Sequence, residues 1–492
     1  MSDSGFLTTA LVPILYLVSA VMFIRGIKGL TKVRTARRGN LIAASAMLLA
    51  VVATLIEMTA DGTITVSFHW ILIGLAIGGT IGAVAALKVA MTSMPEMVAL
   101  LNGFGGGAST LVALSVVWVQ AVEGDAPGTL TDIFGGAPDQ AFTVFLSILI
   151  GTVTFSGSLV AYGKLAGKIS GNPVLLPGRH VLNALLFLGA LGLGGWLAFV
   201  AVDPGSISMA ALGLTAVALV LGVMLVIPIG GADMPVVISL LNSYSGLAAS
   251  ATGFVLQNNL LIISGALVGA SGLILTQIMC VAMNRTLVNV LFGGFGMEDT
   301  GGEAKSGAAR DYGTVRSYSP EEAAMVLETA ENVVVVPGYG LAVAQAQHTV
   351  RELASLLEKR GTKVTYGIHP VAGRMPGHMN VLLAEADVPY EQLLEMETIN
   401  PEFRNTDAVI VVGANDVVNP AAENEKGSPI YGMPVLQVWN AGSVMVIKRS
   451  LSPGFAGIKN ELFEYENTMM VFGDAKQVLQ GLVAELKEVA AA

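Results

Sequence analysis

Residues 332–347 read NVVVVPGYGLAVAQAQ, and the fold of the C-terminal part of the chain follows from them. Four consecutive valines, Val333 to Val336, predict a strand buried on both faces. Pro337 closes it and Gly338-Tyr339-Gly340 makes a tight turn. From Leu341 the apolar residues recur at helical spacing, predicting a helix that runs to Arg360 and stops at Gly361. Strand, Gly-x-Gly turn and helix together form a cradle for the phosphates of a dinucleotide. Glycine lets backbone approach a pyrophosphate, and a helix start offers N–H groups and the positive end of a dipole. The third position of the fingerprint is Val343 in place of glycine, and an ordinary strand-to-helix turn is the alternative reading.

Outward from this stretch, Ser319-Pro320-Glu321-Glu322 predicts a helix start: a capping hydroxyl, proline at the first position, acids in the first turn. Strands are expected at Lys363–Ile368, Ala408–Val412, Val435–Val438, Ser443–Ile447 and Met469–Phe472, and a closing helix at Lys476–Val489. Val/Ile-rich strands alternating with helices predict an α/β, doubly wound parallel sheet, whose ligands bind beyond the strand carboxyl ends. Three loops there stand out. His369-Pro370-Val371-Ala372-Gly373-Arg374 occupies the place where an NAD-binding fold puts an acidic residue for the ribose hydroxyls. Gly413-Ala414-Asn415-Asp416 reads either as a ligand loop or as a plain Asx turn. Lys448-Arg449-Ser450 suits a phosphate ester, since arginine grips one bidentately, and points to the 2′-phosphate of NADP rather than to NAD. A solvated strand end is the alternative.

The N-terminal part has a different composition. The chain is 53% hydrophobic and 13% charged, against about 25% charged in soluble domains. Apolar segments long enough, or nearly so, to cross a lipid bilayer fall at Phe6–Ile24, Leu41–Ile56, Trp70–Leu87, Met97–Ala121, Ala141–Tyr162, Val181–Val202, Ile207–Ile229, Val236–Val255 and Leu260–Ala282. The division expected is a nine-span membrane domain (1–291), a Gly-rich flexible linker (292–318) and an α/β domain (319–492). Lys and Arg occupy alternate connections (Arg25 to Arg38, Lys88, Lys164 to Arg179, Arg285), which predicts the N-terminus outside and the C-terminal domain in the cytoplasm. A formal charge of −10 gives no basic footprint for nucleic acid. The single cysteine, Cys280, excludes an intrachain disulfide framework, and no removable signal is expected.

Within the spans, Gly74, Gly78 and Gly82, and likewise Gly265 and Gly269, predict close helix–helix contact. Asn102-Gly103-Phe104-Gly105-Gly106-Gly107 is poor helix material. Gly230-Gly231-Ala232-Asp233-Met234-Pro235 interrupts the chain before the eighth span, which Asn242-Ser243-Tyr244-Ser245 enters. A carboxylate there is a functional candidate because charge in the bilayer is costly; Asp233 otherwise sits at the headgroups or caps the helix. Asn102 and Asn242 are either proton-path residues or interhelical hydrogen-bond partners. No His, Lys or Arg is expected in a span interior, so any proton crossing needs water, amides or a partner subunit.

The stretches Gly230–Gly246, Pro337–Gln347, Gly367–Ala386, Gly413–Ala422 and Ile447–Ser450 resemble the beta subunits of the proton-translocating NAD(P) transhydrogenases. The resemblance spans nearly the whole chain. It implies an alpha subunit that binds NAD(H), in a dimer of alpha–beta units, and direct hydride transfer to NADP(H) on this chain. It also implies inward proton movement across a bacterial inner membrane that drives NADPH formation; hydride transfer itself is read as needing no protein acid or base, and no metal is expected. By the same resemblance, Gly338, Tyr339, Gly340 and Val343 lie by the pyrophosphate and Lys448, Arg449 and Ser450 hold the 2′-phosphate. Arg374, Asn415 and Asp416 adjoin the nucleotide, and Pro453 to Gly457, with Gly454 and Phe455, forms a lid. Phe455 replaces the tyrosine of some members, and Asn102 the histidine that some members carry; Asp233 and Asn242 match as coupling candidates. A nucleotide-gated channel, with a mid-membrane site and broken helices, is the rival reading; a haem-bearing membrane reductase lacks the paired histidines it needs.

Overall fold

The computed structural model describes residues 10–30, 33–60, 68–123, 128–171, 173–284, 286–292, 312–373, 377–428, 430–454 and 456–491. Arg374 and Phe455 lie outside these, as does most of the expected linker. The chain forms two compact units.

Among the described residues, nine helices are long and apolar enough to cross a membrane: α1 Val12–Leu30, α2 Val33–Ala60, α3 Phe68–Lys88, α4 Met94–Val117, α5 Pro138–Leu165, α6 Arg179–Phe199, α7 Pro204–Val226, α8 Met234–Val255 and α9 Asn259–Ala282. These are the expected spans with moved ends. Proline stands in the first turn of α4, α5, α7 and α8, where its missing N–H costs nothing. Asp203 caps α7, its carboxylate accepting the Ser206 amide at 2.8 Å. That hydrogen bond holds the Asp203 carboxyl below its usual pKa.

The hub of this unit is α5, which packs against α4, α7 and α8 and is the most buried of the nine. The glycine run of α4 explains how. Propensity predicted a weakened helix, yet α4 runs unbroken to Val117 because its glycines are contact points. A Cβ at Gly106 would stand 2.6 Å from the Gly151 carbonyl oxygen, and one at Gly107 3.1 Å from the Phe155 ring. The Gly265 and Gly269 pair behaves as expected, lying against Gly246 to Ser250 of α8. Gly74, Gly78 and Gly82 lie on α3, which has no buried residue, and among the described residues nothing comes within 4 Å of a Cβ at any of the three.

The second unit is built on six parallel strands: β1 Asn332–Pro337, β2 Lys363–Ile368, β3 Leu393–Glu395, β4 Ala408–Val412, β5 Ser443–Lys448 and β6 Thr468–Phe472. Their order is β3-β2-β1-β4-β5-β6, the doubly wound arrangement of dinucleotide-binding sheets. Helices α10 Pro320–Thr329, α11 Tyr339–Val343, α12 Gln347–Lys359, α13 His378–Glu385 and α14 Ala475–Ala491 complete the unit. Ser319 caps α10 as expected, and the Glu322 side chain returns a bond to the Ser319 amide, which completes a capping box. The buried cores of β1, β4 and β5 (Val334, Val336, Val409, Val411, Val444, Val446) pack on Ile399, Phe403, Val418, Leu436 and Leu462.

Three expectations for this unit are corrected. The single helix from Leu341 to Arg360 is two, α11 and α12, because Gln345 adopts a left-handed φ of 48° and the Ala346 amide turns back to the Leu341 carbonyl at 3.2 Å. The strand at Val435–Val438 is a buried coil leading into a tight turn. Asn400 takes the place of a neighbouring strand there, donating to the Val435 carbonyl at 3.0 Å and accepting from the Gln437 amide at 3.2 Å. The sixth strand is instead β3, a three-residue edge whose short length and Glu395 concealed it.

Candidate functional site

The turn after β1 is pressed against the end of β4. The Gly338 amide donates to the Val412 carbonyl at 2.9 Å and the Gly340 amide to the Gly413 carbonyl at 3.0 Å. A Cβ at Gly340 would stand 2.6 Å from the Gly413 Cα, and one at Gly338 would collide with the Gly413 carbonyl oxygen. Gly413 itself needs its left-handed φ of 65°. The glycines thus serve close approach of two chain segments, and their N–H groups are already engaged. With α11 only five residues long, the cradle is a packed backbone floor rather than the mouth of a long helix.

Over this floor opens a cleft of about 520 Å³ at the carboxyl ends of β1, β2, β4, β5 and β6. β1 and β4 are neighbours whose connections leave in opposite directions, which is where doubly wound sheets bind ligands. Gly338, Tyr339, Gly340, Val343, Asn415, Asp416, Lys448, Arg449, Ser450 and Gly454 all line it.

Lys448 is the last residue of β5. Its ammonium donates to the Ser452 carbonyl at 2.9 Å and lies 4.8 Å from the centre of the Phe463 ring. Burial pushes its pKa down to about 8, partly opposed by the Asp416 carboxylate. Arg449 and Ser450 are exposed at the cleft, and the Ser450 hydroxyl lies 2.9 Å from that of Ser452. Asp416 accepts the Ala456 amide at 3.0 Å, and a Cβ at Gly454 would strike its carboxylate. Asn415 is held by the fully buried Asn460, whose amide donates to the Asn415 carbonyl at 3.0 Å and side-chain oxygen at 3.1 Å.

Several contributors escaped the sequence reading. Asn460 and Asn419 are buried asparagines that tie loops, Asn419 donating to the Lys459 carbonyl at 3.0 Å. Asp474 lines the cleft while capping α14 through the Lys476 amide at 3.0 Å. No periodicity marks such residues. His369, noted as a departure from the acidic position, is buried; its Nε2 lies 2.8 Å from the Pro434 carbonyl and its Nδ1 accepts the Val371 amide at 3.2 Å. Burial lowers its pKa to about 4, so it is neutral, with the proton on Nε2, and fixes the loop that gives Val371 to Gly373 to the cleft.

In the membrane unit, the buried Asn102 of α4 donates to the Ile238 carbonyl of α8 at 3.1 Å. Ile238 lies one helical turn before Asn242, which is half-buried, so the two asparagines belong to one level of the α4–α8 interface. The hydrogen bond is the interhelical role allowed for Asn102. Asp233, half-buried at the start of α8, makes no side-chain cap. Hydroxyls of α5 extend the polar interior, Ser147 to Thr252 at 2.7 Å and Thr152 to Thr110 at 3.2 Å. Lys164, expected in the connection after the fifth span, stands elsewhere. α5 continues past Tyr162 to Leu165, so Lys164 belongs to its last turn and is buried.

A family model described as NAD(P) transhydrogenase beta subunit matches residues 12–485. Two proteins named NAD(P) transhydrogenase subunit beta, both from Rhodospirillum rubrum, are each 48% identical to this chain over 477 residues, covering 97% of it and 99% of the relative. By both comparisons, the chain belongs to the NAD(P) transhydrogenase beta subunit family.

Proposed function

We propose that this chain holds NADP(H) in the cleft and exchanges hydride with NAD(H) held by an alpha subunit, coupled to proton movement through the membrane helices. The observation that carries the reading is the joining of the Gly338–Gly340 floor and the Lys448-Arg449-Ser450 cluster in one cleft at the β1–β4 crossover. The residues suit the cofactor: glycine-only backbone for a pyrophosphate, two cations and a hydroxyl for a 2′-phosphate. When bound, NADP(H) supplies or accepts the hydride, so no protein acid or base is required and the chain's work is positioning and exclusion of water. Lys448 and Arg449 select the phosphorylated cofactor, Asp416 fastens the loop after β5 through the Ala456 amide, and His369 shapes the far wall of the cleft. Proton-linked change in the membrane unit, for which Asp233, Asn102 and Asn242 are the candidate residues, alters how tightly the cofactor is held. Such coupling works only through differential affinity for two states. The Lys/Arg distribution supports a cytoplasmic cleft, and the family resemblance is the ground for an inner membrane, protons moving inward as NADPH forms, and a dimer of alpha–beta units.

The test is selectivity. Replacing Lys448 and Arg449 together with Ala should weaken NADPH binding at least 100-fold and NADH binding less than threefold, by calorimetric titration. Equal losses would remove the 2′-phosphate from this corner. The channel reading finds no broken helix at the Gly-rich stretch, since α4 is continuous there.

A further inference from the structure

Lys164 stands outside every role given so far. It lies in the last turn of α5 with 5% of its surface exposed. Its ammonium donates to the carbonyls of Ile227 at 2.6 Å and Ile229 at 2.7 Å. Those carbonyls follow α7, where the last turn of a helix leaves its acceptors without intrahelical partners. A cation there is favoured by the helix dipole, but a buried ammonium is costly to maintain and calls for a reason beyond capping.

The reason lies in what the same segment leads to. From Ile229 the chain passes through Gly230 and a single tight turn, Gly231–Asp233, into α8. The segment is stitched to the α5–α6 connection as well: the Gly231 amide donates to the Gly171 carbonyl at 2.8 Å and the Val174 amide to the Ile227 carbonyl at 3.3 Å. Lys164 grips this segment at two carbonyls, and it comes from the hub helix that also carries the buried hydroxyls. Two glycines make the stretch between clamp and carboxylate intrinsically pliable.

We propose that Lys164 is a positioning residue: by clamping residues 227 and 229 it fixes the Gly230–Asp233 turn to α5, and so sets where the Asp233 carboxylate stands during the coupling cycle. The proposal rests on the reading of Asp233 as a coupling residue. With the clamp released, the turn and Asp233 move independently of α5, and proton passage no longer enforces a change at the cofactor.

The experiment uses the alpha–beta enzyme in proteoliposomes, with Lys164→Met, Lys164→Gln and Lys164→Arg beside Asp233→Asn. Two rates are read: net NADPH formation driven by a proton gradient, and hydride passage from NADH to an NAD⁺ analogue by way of NADP(H) that stays bound. Lys164→Met should lower the first at least tenfold and change the second less than twofold, with Lys164→Arg restoring the first to within threefold of wild type. An unchanged gradient-driven rate in Lys164→Met, or parallel loss of both rates without rescue by Arg, overturns the proposal. If Lys164→Met does not assemble, Lys164→Gln must lose gradient-driven rate at least fivefold more than Lys164→Arg, and equality overturns it. Asp233→Asn separates the two readings. Full coupling in that variant removes the role of Asp233 itself, whereas lost coupling there with a normal Lys164→Met removes only the clamp.

Discussion

The Asp416 carboxylate accepts the Ala456 amide at 3.0 Å, tying the loop that follows β5 to the loop that follows β4 across the mouth of the cleft. Gly454 lies so close to that carboxylate that a Cβ would stand 2.6 Å from its Oδ2. One acid therefore engages this loop at both Gly454 and Ala456. Asp416→Ala should loosen the loop and speed NADPH release at least tenfold in stopped-flow measurements, with higher hydrogen exchange at the Ala456 amide. Unchanged protection of that amide would mean that something else secures the loop.

Lys448 gives the cleft a pH dependence. On the proposed function the ammonium would hold a 2′-phosphate, and burial brings that group's pKa down to about 8. Above this value the free cleft loses its charge first, because a bound dianion raises the pKa of the complex. NADPH affinity should fall roughly tenfold for each pH unit above 8 until the pKa of the complex is reached. Lys448→Arg stays charged throughout and should flatten the profile between pH 7.5 and 9.5, on a scale of about two pH units.

His369 places a second limit on the acid side. Its folded-state pKa of about 4 lies below the ordinary 6.5. Protons therefore bind the unfolded state first, and the stabilisation is complete above 6.5 and lost as pH falls toward 4. The full effect is about 3 kcal/mol. Urea denaturation followed through Trp439, with Trp70, Trp118 and Trp196 replaced by Phe, should show this slope, and His369→Asn should reduce it by half or more. A slope identical in the variant would assign the acid sensitivity to carboxylates.

Glycine contacts in the membrane unit divide into used and unused. Gly106→Val drives a side chain against the Gly151 carbonyl and should cost about 2 kcal/mol. Gly78→Val, on the open face of α3, should change the stability of the chain alone by less than about 0.5 kcal/mol. Thermal unfolding in detergent reads both, and equal effects would mean that α4 and α5 adjust to the added methyl groups.

Long, strongly patterned features were legible in the sequence. The apolar spans, the run Val333–Val336, the Ser319 cap and the position of Lys448-Arg449-Ser450 at a strand carboxyl end each follow from local chemistry, and each stands where expected. What escaped depends on partners distant in sequence. The coil at Val435–Val438 is apolar enough for a strand, and only Asn400 reveals why it is not one. The break at Gln345 lies in a helical pattern with no glycine or proline to announce it. Lys164 looked like one more cytoplasmic cation until the end of α7 was beside it.

The engaged amides of Gly338 and Gly340 carry a last consequence. Both already bond the end of β4, so the base of the cleft is assembled before any nucleotide arrives and costs no ordering entropy on binding. A preassembled base cannot act as the dial. If affinity for the cofactor is to swing during a cycle, the adjustable part is the stretch from Ser450 to Gly454, and a mutation that stiffens it should lock turnover while leaving the base as it stands.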